Sequence, residues 1–275
     1  MANTNINPFA PTSEVPSGFN LTDSLDENVS NKGASAKAAY QLKRMIGTSA
    51  NHWNGKKWYG FGTSITDTSG SNPTGKYAPY LAALSGMTFV NKGHGGKAYT
   101  STSGHADVYN DLMSSDLSDA DLITIEIGAN EGNALLGTVY DGLQNEQVTD
   151  NSTICGALNL CIRHLLATTN AQIAVFHTPY QRSWGSTTYQ GNEKYANSTR
   201  TWLDVENAIE QVCRLNCVYY INAGASLGLA RLNGSSGNNY VVDNIHQTNL
   251  GGYNFAQAIW SQLKNIPLFY KAIPT

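Results

Sequence analysis

Between about residue 57 and residue 265 the chain alternates short apolar runs with longer segments of helical periodicity. The runs at 58–61, 88–90, 122–127, 173–176 and 218–221 are rich in β-branched, aromatic and aliphatic residues, and each is too short to be a helix. The segments between them carry apolar stripes at helical spacing. Tyr77, Tyr80, Leu81 and Leu84 form one, and Ile154, Leu158, Ile162 and Leu165 another. Trp202, Val205, Ile209 and Val212 form a third, and Phe255, Ile259 and Leu263 a fourth. Repeated strand–helix units predict a three-layer α/β/α sandwich around a five-stranded, mainly parallel sheet. Ligands on such sheets bind outside the carboxyl ends of the strands, so any chemistry belongs in the loops that follow them.

Those loops carry an unusual concentration of small and polar residues. The first strand is followed by Gly60-Phe-Gly62-Thr-Ser64-Ile-Thr-Asp67, a small-residue turn that lifts a serine hydroxyl to the sheet edge. The second is followed by Val90-Asn-Lys-Gly93-His-Gly95-Gly96, where bare backbone N–H groups can approach a ligand closely. After the third comes Ile127-Gly128-Ala-Asn130-Glu131, and before the last helix Val242-Asp243-Asn-Ile-His246-Gln-Thr-Asn-Leu-Gly-Gly252. A serine hydroxyl becomes a useful nucleophile only when a neighbouring base takes its proton. A histidine three residues from an aspartate can take the carboxylate at one ring nitrogen and present the other to Ser64. Neutral donors would then have to stabilise the oxyanion, and the N–H groups of Ser64 and of one of Gly93, Gly95 and Gly96, together with the Asn130 amide, lie in loops that can supply them.

In order and separation these four blocks resemble the SGNH hydrolases, also called GDSL-type esterases, over roughly residues 55–265. The resemblance implies a flavodoxin-like α/β/α domain, with Ser64 as nucleophile and Asp243 and His246 as orienter and base. It also implies an oxyanion hole formed by Ser64, Gly96 and Asn130, and a reaction without metal or other cofactor. Where the family usually has Gly-Asp-Ser this chain has Gly62-Thr63-Ser64, and where it has Gly-x-Asn-Asp the chain has Gly128-Ala-Asn130-Glu131. The run Ser152-Thr-Ile-Cys-Gly156-Ala-Leu-Asn159 looks like the helix start of carbohydrate-active members. Small acyl esters, O-acetyl above all, on carbohydrates are therefore the expected substrates.

Each residue also has a plainer reading. Ser64 alone would be a helix N-cap, since serine commonly caps helices, and Asp243 alone a turn residue. Tyr180 and Trp184, in the loop after the fourth strand, are candidate sugar-stacking contacts, although loop aromatics more often simply pack. Glu131 would hydrogen-bond its own loop. His52, His94, His105, His164 and His177 have no carboxylate at the Asp-x-x-His spacing and read as surface or core histidines. A glycan-binding protein without turnover is the alternative function, but binding alone needs no nucleophile–base pair. A lipase would want a long apolar lid segment, which the sequence lacks.

Composition excludes other partners. Charged residues are 13% of the chain, against roughly 25% in an average globular domain. The net charge is −3 and Lys and Arg are not clustered, which argues against nucleic acid. No apolar run approaches the roughly 20 residues of a membrane span. The N-terminus has neither a basic nor an apolar region, so it reads as no signal peptide, and synthesis in the bacterial cytoplasm is expected. The four cysteines, at 155, 161, 213 and 217, lack metal-site spacing and read as buried free thiols on two helices.

Residues 1–50 differ from the domain at 51–275. Three prolines precede Gly18, giving an extended strap. A short helix follows, whose narrow stripe of Ala38, Leu42, Met45 and Ile46 needs a cover. Residues 21–42 resemble a short repeat of bacteriophage tail-fibre proteins. That likeness implies an attachment segment, a homotrimer, phage tail components as partners, a place in the virion tail and a role in host adsorption.

Overall fold

The computed structural model describes residues 51–69, 75–128, 130–131, 134–143, 151–178, 201–225, 227, 240 and 246–268. The expected stripe at Ala38, Leu42, Met45 and Ile46 lies outside the described residues, as do Asp243, Tyr180 and Trp184. The chain divides into two units, Met1–His52 and Trp53–Thr275.

Within the second unit five strands form one sheet: β1 (Lys57–Gly62), β2 (Thr88–Gly93), β3 (Leu122–Ile127), β4 (Gln172–His177) and β5 (Tyr219–Tyr220). Their order is β2-β1-β3-β4-β5 and every described pairing is parallel. The helices are α1 (Tyr77–Ser85), α2 (Asp107–Ser114), α3 (Ile154–Thr168), α4 (Trp202–Leu215) and α5 (Asn249–Leu263). Since β1 leads to β2 on one side and β3 lies on its other side, the strand order reverses at β1. A crevice therefore opens above the carboxyl ends of β1 and β3.

Alternation along the strands divides the core in two. Phe61, Ile123, Ile125, Ile127, Ile173 and Val175 point to one face and pack with Val108 and Leu112 of α2, Leu158 and Leu165 of α3 and Ile209 of α4. Trp58, Leu122, Ala174 and Phe176 point to the other, against Tyr77 and Leu81 of α1 and Phe255 and Ile259 of α5. This is the three-layer α/β/α sandwich expected from the sequence. Polar positions of β3 occupy the second face: Thr124 accepts from Trp58 Nε1 at 2.8 Å, and Glu126 is discussed below. Thr153, Thr201 and Thr248 cap α3, α4 and α5, each accepting a backbone N–H with its side chain. Among the described residues no helix is long and apolar enough to cross a membrane.

Two local expectations need correction. Helix α2 has no counterpart in the sequence reading, because eight residues with Val108 and Leu112 as buried positions are too short a window for periodicity. Cys155, Cys161 and Cys213 are buried free thiols, but Cys217 is exposed. It lies beyond the end of α4 with a positive φ of 55°, so it is neither buried nor on that helix.

Helix α5 meets neighbouring loop backbone through glycine. A Cβ on Gly252 would lie 1.9 Å from the carbonyl oxygen of Gly75, and one on Gly251 would lie 2.0 Å from that of Tyr240. Alanine normally favours a helix interior by about 1 kcal/mol over glycine. Here Gly252→Ala should do the opposite and cost about 1–3 kcal/mol through overpacking against backbone that cannot yield. Thermal unfolding should show Tm lowered by roughly 3–10 °C; a Tm at or above wild type would mean the contact is not close-packed.

Candidate active site

The turn after β1 is tight. The Thr63 carbonyl accepts from Thr66 N (3.1 Å) and Asp67 N (2.9 Å), and from Trp58 to Asp67 Ser64 alone is not buried. It caps no described helix; the next one, α1, begins at Tyr77. Ser64 Oγ lies 2.9 Å from His246 Nε2, across 182 positions of sequence. His246 is half-buried and sits just before α5, whose cap Thr248 also receives structure from upstream: its N–H donates to Tyr240 O at 2.9 Å.

Beneath the serine turn lies Glu126, fully buried on β3. One of its oxygens accepts from Thr63 N (2.7 Å) and Thr63 Oγ1 (2.9 Å), and the other from Thr178 Oγ1 (2.5 Å). Burial pushes its carboxyl above the usual range, and the hydrogen bonds from Thr178 and Thr63 pull the other way without cancelling it. Thr63 thus stands where the family usually has aspartate and draws its support from this carboxylate.

The loop after β2 is held on two sides. His94 N donates to Gly62 O (2.9 Å), prolonging the β1–β2 ladder. Gly95 N donates to Asp67 Oδ2 (3.2 Å), while Oδ1 of the same carboxylate accepts from Asn91 Nδ2 (3.1 Å) and Ser69 N (2.8 Å). Burial alone would raise the Asp67 pKa, but these hydrogen bonds outweigh it and hold the carboxyl below its ordinary value. Gly96 follows at φ 72°, a conformation that side chains rarely adopt. From the β3 side, Asn130 Nδ2 donates to Lys97 O (2.8 Å), which fixes the orientation of its amide and leaves a second N–H. Glu131 is buried and accepts from Tyr99 N (2.7 Å) and Thr100 N (3.1 Å), so it clamps the neighbouring loop.

Among the described residues, the backbone N–H groups of Ser64 and Gly96 donate to no protein acceptor. Gly95, by contrast, is engaged by Asp67, which separates the two adjacent glycines that sequence alone leaves equivalent. The arrangement therefore offers a hydroxyl beside an imidazole nitrogen, with unengaged donors on loops from the same sheet edge. That is the equipment for acyl transfer. His177 is no rival base: burial pushes its pKa down to about 3, so the ring stays neutral and enclosed at the end of β4. His94 does have a carboxylate partner, Asp111 Oδ2 at 3.0 Å, but it comes from α2, 17 positions away. Among the described residues no cluster of three or more His, Cys, Asp or Glu is placed to hold a metal ion.

The profile of GDSL-like lipases and acylhydrolases matches residues 59–259. The chain belongs to that family. This GDSL-like hydrolase is accordingly a carboxylic ester hydrolase. Its fold is shared with a protein from Lactobacillus plantarum, at 22% identity over 79% of this chain and 100% of that one, with a TM-score of 0.64. A possible lipase from Chitinophaga pinensis is similar at 17% identity over 76% and 98% of the two chains, with a TM-score of 0.56. No curated protein sequence matches it.

Sequence reasoning missed Asp67 and Glu126 in this hydrolase. The signal for Glu126 was present: a glutamate inside a strand buried on both faces has to be surrounded by donors. Removing it leaves the Thr63 N–H and two hydroxyls without an acceptor, so Glu126→Ala should cost about 2–5 kcal/mol and lower Tm by roughly 5–15 °C. Glu126→Gln should cost less. Because the folded pKa is raised, the wild-type carboxyl contributes stability that is full below about pH 4.5 and declines as pH rises through the folded value. The gap between wild type and Glu126→Gln should therefore shrink with rising pH in Tm measurements; a gap that widens would mean the carboxyl is stabilised in its charged form.

Proposed function

We propose that this hydrolase is a serine esterase that removes small acyl groups, O-acetyl foremost, from carbohydrates. The observation that carries the reading is the 2.9 Å contact between Ser64 Oγ and His246 Nε2 at the sheet edge where the strand order reverses. In this mechanism His246 Nε2 takes the Ser64 proton as Oγ attacks the acyl carbon, which requires that nitrogen to be unprotonated. Asp243 holds the opposite ring nitrogen and so selects that tautomer. Negative charge on the former carbonyl oxygen is met by the N–H groups of Ser64 and Gly96 and by the second N–H of Asn130. The imidazolium returns its proton to the departing sugar alkoxide, leaving an acyl-serine. A water deprotonated by His246 then releases the acid and restores the hydroxyl. No cofactor enters these steps.

Carbohydrate substrates are supported by the charge-poor composition and by the segment 152–159, whose likeness is to carbohydrate-active relatives. Tyr180 and Trp184 are the proposed ring contacts. The likeness of residues 21–42 to a tail-fibre repeat supports a wider setting. In it, residues 1–50 attach a trimeric enzyme to a phage or prophage tail, and the substrate is surface polysaccharide of the bacterial host. The narrow stripe at Ala38, Leu42, Met45 and Ile46 favours trimerisation, since three copies around an axis would cover what one helix cannot.

Assays on p-nitrophenyl acetate, longer p-nitrophenyl esters and a panel of acetylated polysaccharides test the proposal. Activity should be highest on acetyl esters and should vanish in Ser64→Ala, with Tm unchanged. Asn130→Ala should lower kcat by about 100–1000-fold, the usual cost of one oxyanion donor. A Ser64→Ala protein within tenfold of wild type would remove the serine assignment, and release of long acyl chains in preference to acetate would remove the substrate class.

A further inference from the structure

One short segment touches the surroundings of both Ser64 and His246. Gly75 donates its N–H to Asn249 Oδ1 (3.0 Å). Its α-carbon also lies so close to the chain after His246 that a Cβ would be 2.0 Å from the Gln247 carbonyl oxygen and 2.2 Å from that of Thr248. The segment is thus moulded onto the residues that carry the histidine. Lys76, the next residue, reaches the opposite way, and its Nζ donates to the main-chain carbonyl of Ser64. Among the described residues no other donor reaches that carbonyl. The buried Tyr77 follows, and its hydroxyl meets Thr66 Oγ1 at 3.1 Å in the same turn as the serine.

We propose that Lys76 is a positioning residue for the Ser64–His246 pair; the inference rests on the catalytic reading above. The ammonium makes a charge-assisted hydrogen bond, roughly twice as strong as a neutral one, to the one carbonyl whose direction is set by the Ser64 backbone. Its own backbone is fixed against the histidine loop through Gly75. Lys76 therefore transmits the position of one partner to the other, and the Oγ–Nε2 distance is held by a brace of two residues. Misplacement of a reacting group by about 1 Å can cost 100-fold in rate, so loss of the brace acts on turnover rather than on substrate binding.

The test compares Lys76→Met, which keeps length and loses the charge, with a restored ammonium. Lys76→Cys in a chain carrying Cys217→Ser is treated with 2-bromoethylamine, which rebuilds a lysine-like side chain while the buried Cys155, Cys161 and Cys213 are shielded. With p-nitrophenyl acetate, Lys76→Met should lose about 10–100-fold in kcat while KM stays within about twofold. Aminoethylation of Lys76→Cys should recover most of that loss. A Lys76→Met kcat within about twofold of wild type overturns the inference, as does a rise in KM at unchanged kcat, or a loss that aminoethylation does not recover. Ser64→Ala is run alongside. If it is inert while Lys76→Met keeps its kcat, this inference fails alone; if it is active, the catalytic reading fails and takes the inference with it.

Discussion

A carboxylate without water must be surrounded by donors, and the interior around Glu126 is built to supply them. The side chain leaves β3 toward the layer of α1 and α5, and it gathers the backbone and hydroxyl of Thr63 from the end of β1 and the hydroxyl of Thr178 from the end of β4. Three strand ends are thereby tied to one group. Leaving any of those donors unmet would cost about 1–3 kcal/mol, so the turn that raises Ser64 is specified from below. The serine itself makes none of these bonds, which is why it can stand at the surface of an otherwise buried run.

The same economy recurs on either side of that turn. Asp67 draws Gly95 toward the nucleophile loop, and Asn130 and Glu131 draw the stretch from Lys97 to Thr100 toward the end of β3. Each clamp uses a side chain of one loop on the backbone of another, so the three loops form one network. Gly96 is left between the clamps with its N–H unengaged among the described residues. Preorganised donors of this sort need no rearrangement when charge appears on a bound ester. Two contacts from α2, a hydrogen bond between Asp111 and His94 at 3.0 Å and an ion pair between Asp107 and Lys97 at 3.4 Å, hold the outer edge of the same loop.

Much of the fold is written in the strands themselves. Five apolar runs with helical stripes between them allow little besides a parallel sheet covered on both faces, and the observed order places the serine where the strands diverge. Helix α2 escaped notice because two turns give too little periodicity, and β5 shrinks to Tyr219–Tyr220 because it is a short edge strand. At the site, motif spacing singled out Ser64, Gly96, Asn130 and His246 but not what holds them. Lys76, Asp67 and Glu126 act on distant backbone, and a contact between residues 12 to 63 positions apart leaves no periodic trace in sequence.

The central claim is that Ser64 is made nucleophilic by His246, and covalent capture tests it without any assumption about the natural ester. Treating the full chain with a fluorophosphonate and mapping the adduct by peptide mass spectrometry should show one phosphonyl group per chain, on Ser64. In His246→Ala labelling should be slower by several orders of magnitude, as for a serine that has lost its base. An adduct on another residue, or an esterase that hydrolyses acetyl esters while Ser64 stays unlabelled, would contradict the account.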